Sequence, residues 1–121
     1  MSQKSDSKPY DLEERTFLFA KDVRLFVKTV SKSIANIEDI KQVVRSSGSI
    51  GANYIEANEA FSKKDFRFRV KISRKEAKES VYWLRLINET NDLFNKETAE
   101  DLIQEASELK KILSAIIDKS S

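Results

Sequence analysis

A chain of 121 residues, 40% hydrophobic and 35% charged, is long enough for one hydrophobic core and too short for two. It has only two glycines and one proline, so it lacks the turn residues that an all-β fold needs, and an all-α fold is favoured. The chain contains neither cysteine nor histidine. Disulfides and thiolate chemistry are therefore excluded, and the commonest general base and metal ligand is missing.

The chain begins with a polar segment, residues 1–9, whose serine and lysine content predicts a disordered tail ahead of a single domain at 10–121. This segment lacks a hydrophobic signal region. No apolar run reaches the roughly 18 residues of a membrane span. We therefore expect a cytoplasmic protein without a membrane partner.

The first two predicted helices cover about 11–31 and 38–58. Asp11 is the predicted N-cap of the first helix, because its carboxylate can accept hydrogen bonds from the free amides of the first turn. The turn is placed where Ser33 and Asn36 interrupt the pattern. Apolar residues recur at helical spacing through the first helix and into the turn: Leu12, Phe19, Val23, Phe26, Val30 and Ile34.

Within the second helix, the segment at 45–59 (RSSGSIGANYIEANE) is rich in small residues but keeps a helical pattern. The apolar positions that maintain the spacing are Val43, Ile50, Tyr54 and Ala57. A glycine inside a helix costs on the order of 1 kcal/mol relative to alanine, so close packing should compensate for it. We interpret the segment as a helix built for close contact.

The third and fourth predicted helices cover about 63–90 and 96–117. Ser62 is the predicted N-cap of the third helix, with Asp65 completing a capping pattern. The fourth helix carries a bundle seam at alternating steps of four and three: Leu102, Ala106, Leu109, Leu113 and Ile116. Four helices with short connections predict an up-down-up-down antiparallel four-helix bundle.

Two surfaces of the third helix lie outside its core stripe. Between residues 63 and 85 there are nine basic and three acidic residues. Such segregated positive charge indicates a polyanionic partner, RNA or DNA, although a solvated face is the alternative. The basic ridge consists of Lys64, Arg67, Lys71, Arg74, Lys78 and Arg85. A second apolar line, the α3 apolar line, consists of Phe68, Ile72, Trp83 and Leu86.

A polar line also runs along the second helix: Gln42, Arg45, Ser49, Asn53 and Glu56. Facing it, Glu76, Glu79 and Trp83 lie together on the third helix. A charge among apolar residues is costly to bury unless it is paired. We therefore expect Arg45 to meet Glu76 or Glu79 in a buried or interfacial polar network. A solvated helix face is the alternative.

The carboxylates also allow a chemical interpretation, because Glu56, Glu76 and Glu79 could gather as in carboxylate metal proteins. Bundle sites of that kind combine glutamates with Glu-x-x-His pairs, and this chain has no histidine. The cations of Arg45, Arg69 and Lys75 would compete for the same carboxylates. We predict no catalytic residues, no metal site and no cofactor.

Three segments carry a resemblance to a known family: YDLEERTFLFAKDV, QVVRSSGSIGANYIEANEAFSKKDF and ISRKEAKESVYWLRL. They resemble the four-helix-bundle proteins encoded in intervening sequences of bacterial 23S rRNA genes, and the resemblance covers nearly the whole chain. It is carried most strongly by Gln42, Arg45, Ser46, Ser49, Ile50, Asn53, Glu56, Ser62, Asp65, Phe66, Glu76, Glu79, Trp83 and Leu84.

The resemblance implies a homo-oligomeric ring, commonly a pentamer, without enzymatic activity. Related accessory proteins of diversity-generating retroelements bind nucleic acid and a reverse transcriptase through basic surfaces, which by analogy favours nucleic-acid binding here. The alternative is an oligomeric scaffold or adaptor that binds a protein partner and no nucleic acid. In either case, the α3 apolar line would face a neighbouring subunit.

Overall fold

The computed structural model describes residues 11–121 and folds them into four α-helices without any strand in that range. The predicted disordered tail lies outside the described residues. The all-α bundle predicted from the sequence is confirmed. The helices are α1 (Leu12–Val27), α2 (Ile34–Asn58), α3 (Lys63–Thr90) and α4 (Lys96–Lys119).

Short polar side chains set where three of the helices begin. Asp11 Oδ1 accepts from the amide of Glu14 at 3.2 Å, and Ser62 Oγ accepts from the amide of Asp65 at 3.0 Å. Both N-caps were predicted, and α3 begins and ends where the sequence placed it. Each cap satisfies an amide that has no partner within its own helix.

The α1–α2 turn lies earlier in the chain than the sequence predicted, and its position has a local cause. Ser33 caps α2, because its Oγ accepts from the amide of Asn36 at 3.1 Å. The Asn36 side chain is buried and donates to Ser31 O at 2.9 Å and to Asn91 Oδ1 at 2.7 Å. The two residues that were interpreted as a break therefore start the helix. α1 consequently ends at Val27.

Hydrogen bonds between α2 and α3 show that these two helices run antiparallel. Along the α2–α3 contact, Ser46 meets Ser80, whereas the later Ile50 meets the earlier Ser73. The bundle is closed by α1 and α4, where Arg15 forms two hydrogen bonds of 2.7 and 2.9 Å with Glu105. This hydrogen-bonded carboxylate raises the pKa of the Arg15 guanidinium above its ordinary value.

The core is one continuous cluster of aliphatic and aromatic side chains from all four helices. Its largest fully buried members are Phe19, Ile50, Leu84, Ile87, Leu109 and Leu113. Removal of this apolar area from water is the main stabilising contribution to the fold. None of the helices at residues 12–119 combines the length and apolar composition needed to cross a bilayer.

Candidate functional site

The basic ridge lies on an open side of α3. Lys64, Lys71, Lys78 and Arg85 are exposed, and they follow one another at seven-residue steps. Seven residues advance a helix by about 10.5 Å and bring the side chain back to nearly the same side. Among residues 11–121, the three lysines form no ion pair. Their charges are therefore available to an external anion.

The three arginines of the ridge are either half-buried or paired within the protein, unlike the lysines. Arg67 and Arg74 are half-buried, and Arg74 Nη1 donates to Ser114 Oγ of α4 at 3.3 Å. Arg85 pairs with Glu89 at 3.2 Å one turn further along α3. The exposed ridge cations that form no ion pair among residues 11–121 are therefore Lys64, Lys71 and Lys78.

The cationic surface continues onto α4, which the sequence analysis had not included. Lys110 and Lys111 lie one turn before Ser114, the residue that Arg74 contacts. Neither lysine was among the ridge residues predicted from the sequence. The spacing of α4 alone could not reveal that these lysines adjoin the ridge, because the helix pairing determines it.

Arg45 joins the two carboxylates with which the sequence paired it. Its Nη2 lies 3.1 Å from Glu76 Oε1 and 2.9 Å from Glu79 Oε1. The Glu76 side chain is 8% exposed, whereas the Arg45 side chain is 50% exposed. The hydrogen bond to Glu76, together with the charges of both carboxylates, raises the pKa of Arg45. The network is therefore buried at the carboxylate of Glu76 and open to water at the guanidinium.

The rest of the polar line is less tightly held than Arg45. Asn53 Nδ2 donates to Ser49 O at 2.9 Å within α2, and Asn53 Oδ1 accepts from Arg69 at 3.5 Å. Gln42 is half-buried and Glu56 is exposed. Trp83 packs against the edge of the core, with the ring of Tyr82 edge-on at 4.9 Å.

Glu56, Glu76 and Glu79 do not gather around a common point. Two of them meet at Arg45, whose cation occupies the position that a metal would need. Across residues 11–121, no three acidic side chains come together in a way that could hold a metal ion. The network is an arginine–carboxylate contact between α2 and α3.

A family model described as "23S rRNA-intervening sequence protein" matches residues 9–115. The chain belongs to this family. A similar solved structure is that of a protein of unknown function from the S23 ribosomal protein family of Bacteroides thetaiotaomicron. The two chains are 32% identical and superpose with a TM-score of 0.75, over 87% of this chain and 96% of the other. No curated protein matches the sequence.

A row of buried hydroxyl groups between α2 and α3 was not predicted from the sequence. Ser46 Oγ and Ser80 Oγ lie 2.8 Å apart between α2 and α3, and Ser73 Oγ donates to Ile50 O at 2.7 Å. All three serines are fully buried. Serines on the core side of two amphipathic helices are the signal that could have revealed them. They let α2 and α3 approach closely and satisfy each other's polar atoms.

A groove between α1 and α2 was also not predicted from the sequence. It encloses about 500 Å³ and is open to solvent. Gly48, Gly51 and Ala52 line one side, and the larger side chains Phe17, Leu25 and Ile55 line the rest. Lys21, Arg24, Lys28 and Glu13 also line it. We call it the α1–α2 groove.

Proposed function

We propose that this protein is a cytoplasmic, non-enzymatic homo-oligomer that binds RNA or another nucleic acid through the basic ridge. The observation that carries the proposal is the row of exposed lysines on α3, Lys64, Lys71 and Lys78, none of which has an ion-pair partner among residues 11–121. A partner that contacts such a row through its phosphates would be bound by shape and charge. Lys110 and Lys111 would widen the contact.

Fluorescence anisotropy with a structured RNA and a DNA duplex, each over a salt series, tests the binding. We expect the logarithm of the association constant to fall linearly with the logarithm of salt concentration. Lys71→Glu with Lys78→Glu should weaken binding at every salt concentration and reduce that slope by about 2, roughly one for each lost phosphate contact.

The matched control is Lys32→Glu with Lys119→Glu, which changes the net charge equally but on other parts of the surface. Both control lysines are exposed. If the control weakens binding as much as the ridge variant, only net charge matters and the ridge is not the site. Absence of any binding at low salt would reject nucleic acid as the partner.

The self-association part of the proposal is supported by large apolar side chains on the surface. Phe17, Leu25, Phe68 and Tyr82 are each more than half exposed. Exposed apolar clusters on a small protein are typical of interaction sites. Light scattering at micromolar concentration should give the mass of an oligomer, a pentamer if the family resemblance extends to subunit number. A monomeric mass would contradict the proposal.

The second candidate function is an oligomeric scaffold or adaptor for a protein partner. The α1–α2 groove favours it, because the surface of the groove is mainly apolar, whereas a phosphate-binding surface is polar and cationic. The anisotropy experiment separates the two functions. An oligomer that binds neither RNA nor DNA at low salt would support the scaffold.

A further inference from the structure

The side chain of Arg24 reaches from α1 to α2 in the α1–α2 groove and is held there by backbone oxygens. Its Nη1 donates to Ala20 O at 3.1 Å within α1, and its Nη2 donates to Val44 O of α2 at 3.3 Å. Gly48 lies against the guanidinium, because a Cβ at this position would be 3.2 Å from Arg24 Nη2. The glycine therefore leaves room for a cation that bridges the two helices.

This guanidinium has no acidic partner in the part of the chain that the structure describes. Among residues 11–121, Arg24 forms no ion pair, and neither do Lys21 and Lys28, which also line the groove. A guanidinium carries five N–H donors, and the two hydrogen bonds of Arg24 to backbone oxygens leave the others available. Charge-assisted bonds to a carboxylate from outside the chain would use them.

The three cations are spaced like the residues on one side of a helix. Lys21, Arg24 and Lys28, the groove cations, follow one another at steps of three and four and are all exposed. They cover about 10.5 Å of α1. Glu13 belongs to the other end of the groove, where its Oε2 accepts from Asn58 Nδ2 at 2.8 Å. The groove therefore has one cationic half.

The groove also presents large apolar side chains to solvent. Phe17 is 62%, Leu25 51% and Ile55 45% exposed, and all three line it. From Glu13 to Lys28 the groove extends about 22 Å along α1, the length of about 15 residues of α-helix. An amphipathic helix binds a groove of this kind by laying its apolar face against it.

We propose that the α1–α2 groove binds an acidic amphipathic helix of a protein partner. Apolar side chains of that helix pack against Phe17, Leu25 and Ile55, and carboxylates along one flank pair with the groove cations. The proposal rests on the second candidate function, the scaffold or adaptor, and gives its partner a chemistry. It is independent of nucleic-acid binding, which uses the basic ridge on α3.

The spread of charge along the groove distinguishes a helix from other anionic partners. A fatty acid places one carboxylate at one point, whereas the groove cations cover about 10.5 Å. A nucleic acid held by its phosphates would leave the exposed apolar side chains of the groove uncovered. An acidic amphipathic helix satisfies both halves, because carboxylates at steps of three and four lie beside its apolar stripe.

Fluorescence anisotropy with a labelled peptide tests the proposal on the full chain. The probe is a peptide of about 15 residues, with leucines along one face at helical spacing and glutamates beside them at steps of three and four. One control peptide has lysine in place of each glutamate, and the other has serine in place of each leucine. We expect the probe to bind, and each control to bind at least about tenfold more weakly. If the probe does not bind, or if the lysine peptide binds equally well, the proposal is wrong.

Two variants of the groove locate the bound peptide. Lys21→Glu with Lys28→Glu should weaken binding of the probe at least about tenfold, and Ile55→Ser should weaken it several-fold. All three positions are exposed, so the fold should tolerate the changes, which circular dichroism would verify. The charge-matched control is Lys71→Glu with Lys78→Glu on the basic ridge, which should leave peptide binding unchanged. An equal loss in the control would mean that the groove is not the peptide site.

The same double variants separate this proposal from nucleic-acid binding. The groove variant should lose the peptide and retain RNA or DNA, whereas the ridge variant should do the opposite. Displacement of the peptide by RNA would assign both ligands to one surface and contradict the groove proposal, while nucleic-acid binding stood. Dissociation of an oligomer by the peptide, measured by light scattering, would make the groove an interface between copies and would likewise contradict it.

Arg24→Gln and Gly48→Ala test the cation that bridges the two helices. Arg24→Gln should weaken binding of the probe at least about fivefold, because arginine is frequent among the residues that dominate interfaces. Gly48→Ala should weaken binding several-fold by displacing the guanidinium, and should have no further effect in the Arg24→Gln background. Unchanged binding by Arg24→Gln would contradict the role of Arg24. An equal loss from Gly48→Ala in both backgrounds would show that Gly48 acts through the shape of the groove instead.

Discussion

Small residues of α2 face both α3 and α1, but the two neighbouring helices pack against them in different ways. Toward α3, hydrogen bonds join the small residues to the neighbouring helix. Ser46 Oγ lies 2.8 Å from Ser80 Oγ, and Ile50 O accepts from Ser73 Oγ at 2.7 Å. Toward α1, Gly51 touches Thr16, but the adjoining space remains an open groove. Small residues on a helix therefore indicate close approach of another helix. The side chains of that helix determine whether the space beside the small residues is filled.

Among the variants that test this comparison, Gly51→Ala should lower the free energy of unfolding most. The new Cβ would lie 2.8 Å from Thr16 Oγ1, whose hydrogen bonds of 2.9 and 3.0 Å to Leu12 O and Glu13 O hold it in place. Relieving the overlap should cost about 2 to 3 kcal/mol of unfolding free energy, typical of overpacking a buried site. Urea denaturation at fixed protein concentration measures it.

The double variant Gly51→Ala with Thr16→Ala tests the cause. Removing Oγ1 should recover part of the loss, so the two changes should be non-additive. Strict additivity would show that the overlap with Thr16 is not the source of the destabilisation.

Arg45→Ala should have the next largest effect, on the α3 side of α2. It leaves the nearly buried Glu76 carboxylate without its cation. Because the Arg45 side chain is half exposed, water can partly replace it, and we expect about 1 to 2 kcal/mol rather than the roughly 3 to 5 of a fully buried pair. Chemical denaturation measures the change.

Glu79→Gln is the control for the Arg45 variant. It weakens only the more exposed of the two contacts, since the Glu79 side chain is 38% exposed. Its effect should be well below that of Arg45→Ala. If both variants unfold at the wild-type urea concentration, the network contributes nothing to stability.

Ser46→Ala should cost about 1 kcal/mol, the usual worth of one hydrogen bond. Ser80 Oγ would still donate to Glu76 O at 3.0 Å, so it would not be left unsatisfied. The larger Ser46→Val should cost more, because the close α2–α3 approach has no room for it. Equal stability of the two variants would mean that the contact is looser than the 2.8 Å distance indicates.

The smallest effect is expected from Asp39→Asn, and it depends on pH. Burial raises the pKa of Asp39 above its ordinary value of 3.8, with a smaller contribution from Glu38. The folded state therefore binds that proton more tightly than the unfolded state, and stability is lost as pH rises through the folded pKa. Asn should stabilise by less than about 0.5 kcal/mol at pH 7. Thermal unfolding should show no gain at pH 3.

Much of the fold could be predicted because local signals agreed with one another. The capping residues Asp11 and Ser62, the helical spacing of apolar residues and the scarcity of glycine and proline all indicated helices in the same places. The prediction was wrong at the α1–α2 turn. There Asn36 looked like a break, but its partner Asn91 is 55 residues away, and only the folded chain brings the two together.

The features of the candidate sites were also predictable from the sequence only in part. The charge of the basic ridge and the pairing of Arg45 with two glutamates followed from residue type and helical period. The half-burial of Arg74 and its contact with Ser114 did not, because they depend on how α4 packs against α3. The addition of Lys110 and Lys111 depends on the same packing.

The sequence by itself determined that this protein is a four-helix bundle, that α3 is strongly basic and that α2 is built for close contact. Each of these depends on residue type and on a period of 3.6, which are properties of one helix at a time. The tertiary structure decided what each small residue of α2 contacts. Gly51 meets the buried Thr16, whereas Gly48 meets the exposed guanidinium of Arg24, although the two glycines stand three residues apart, because the position of α1 across α2 places different side chains against them.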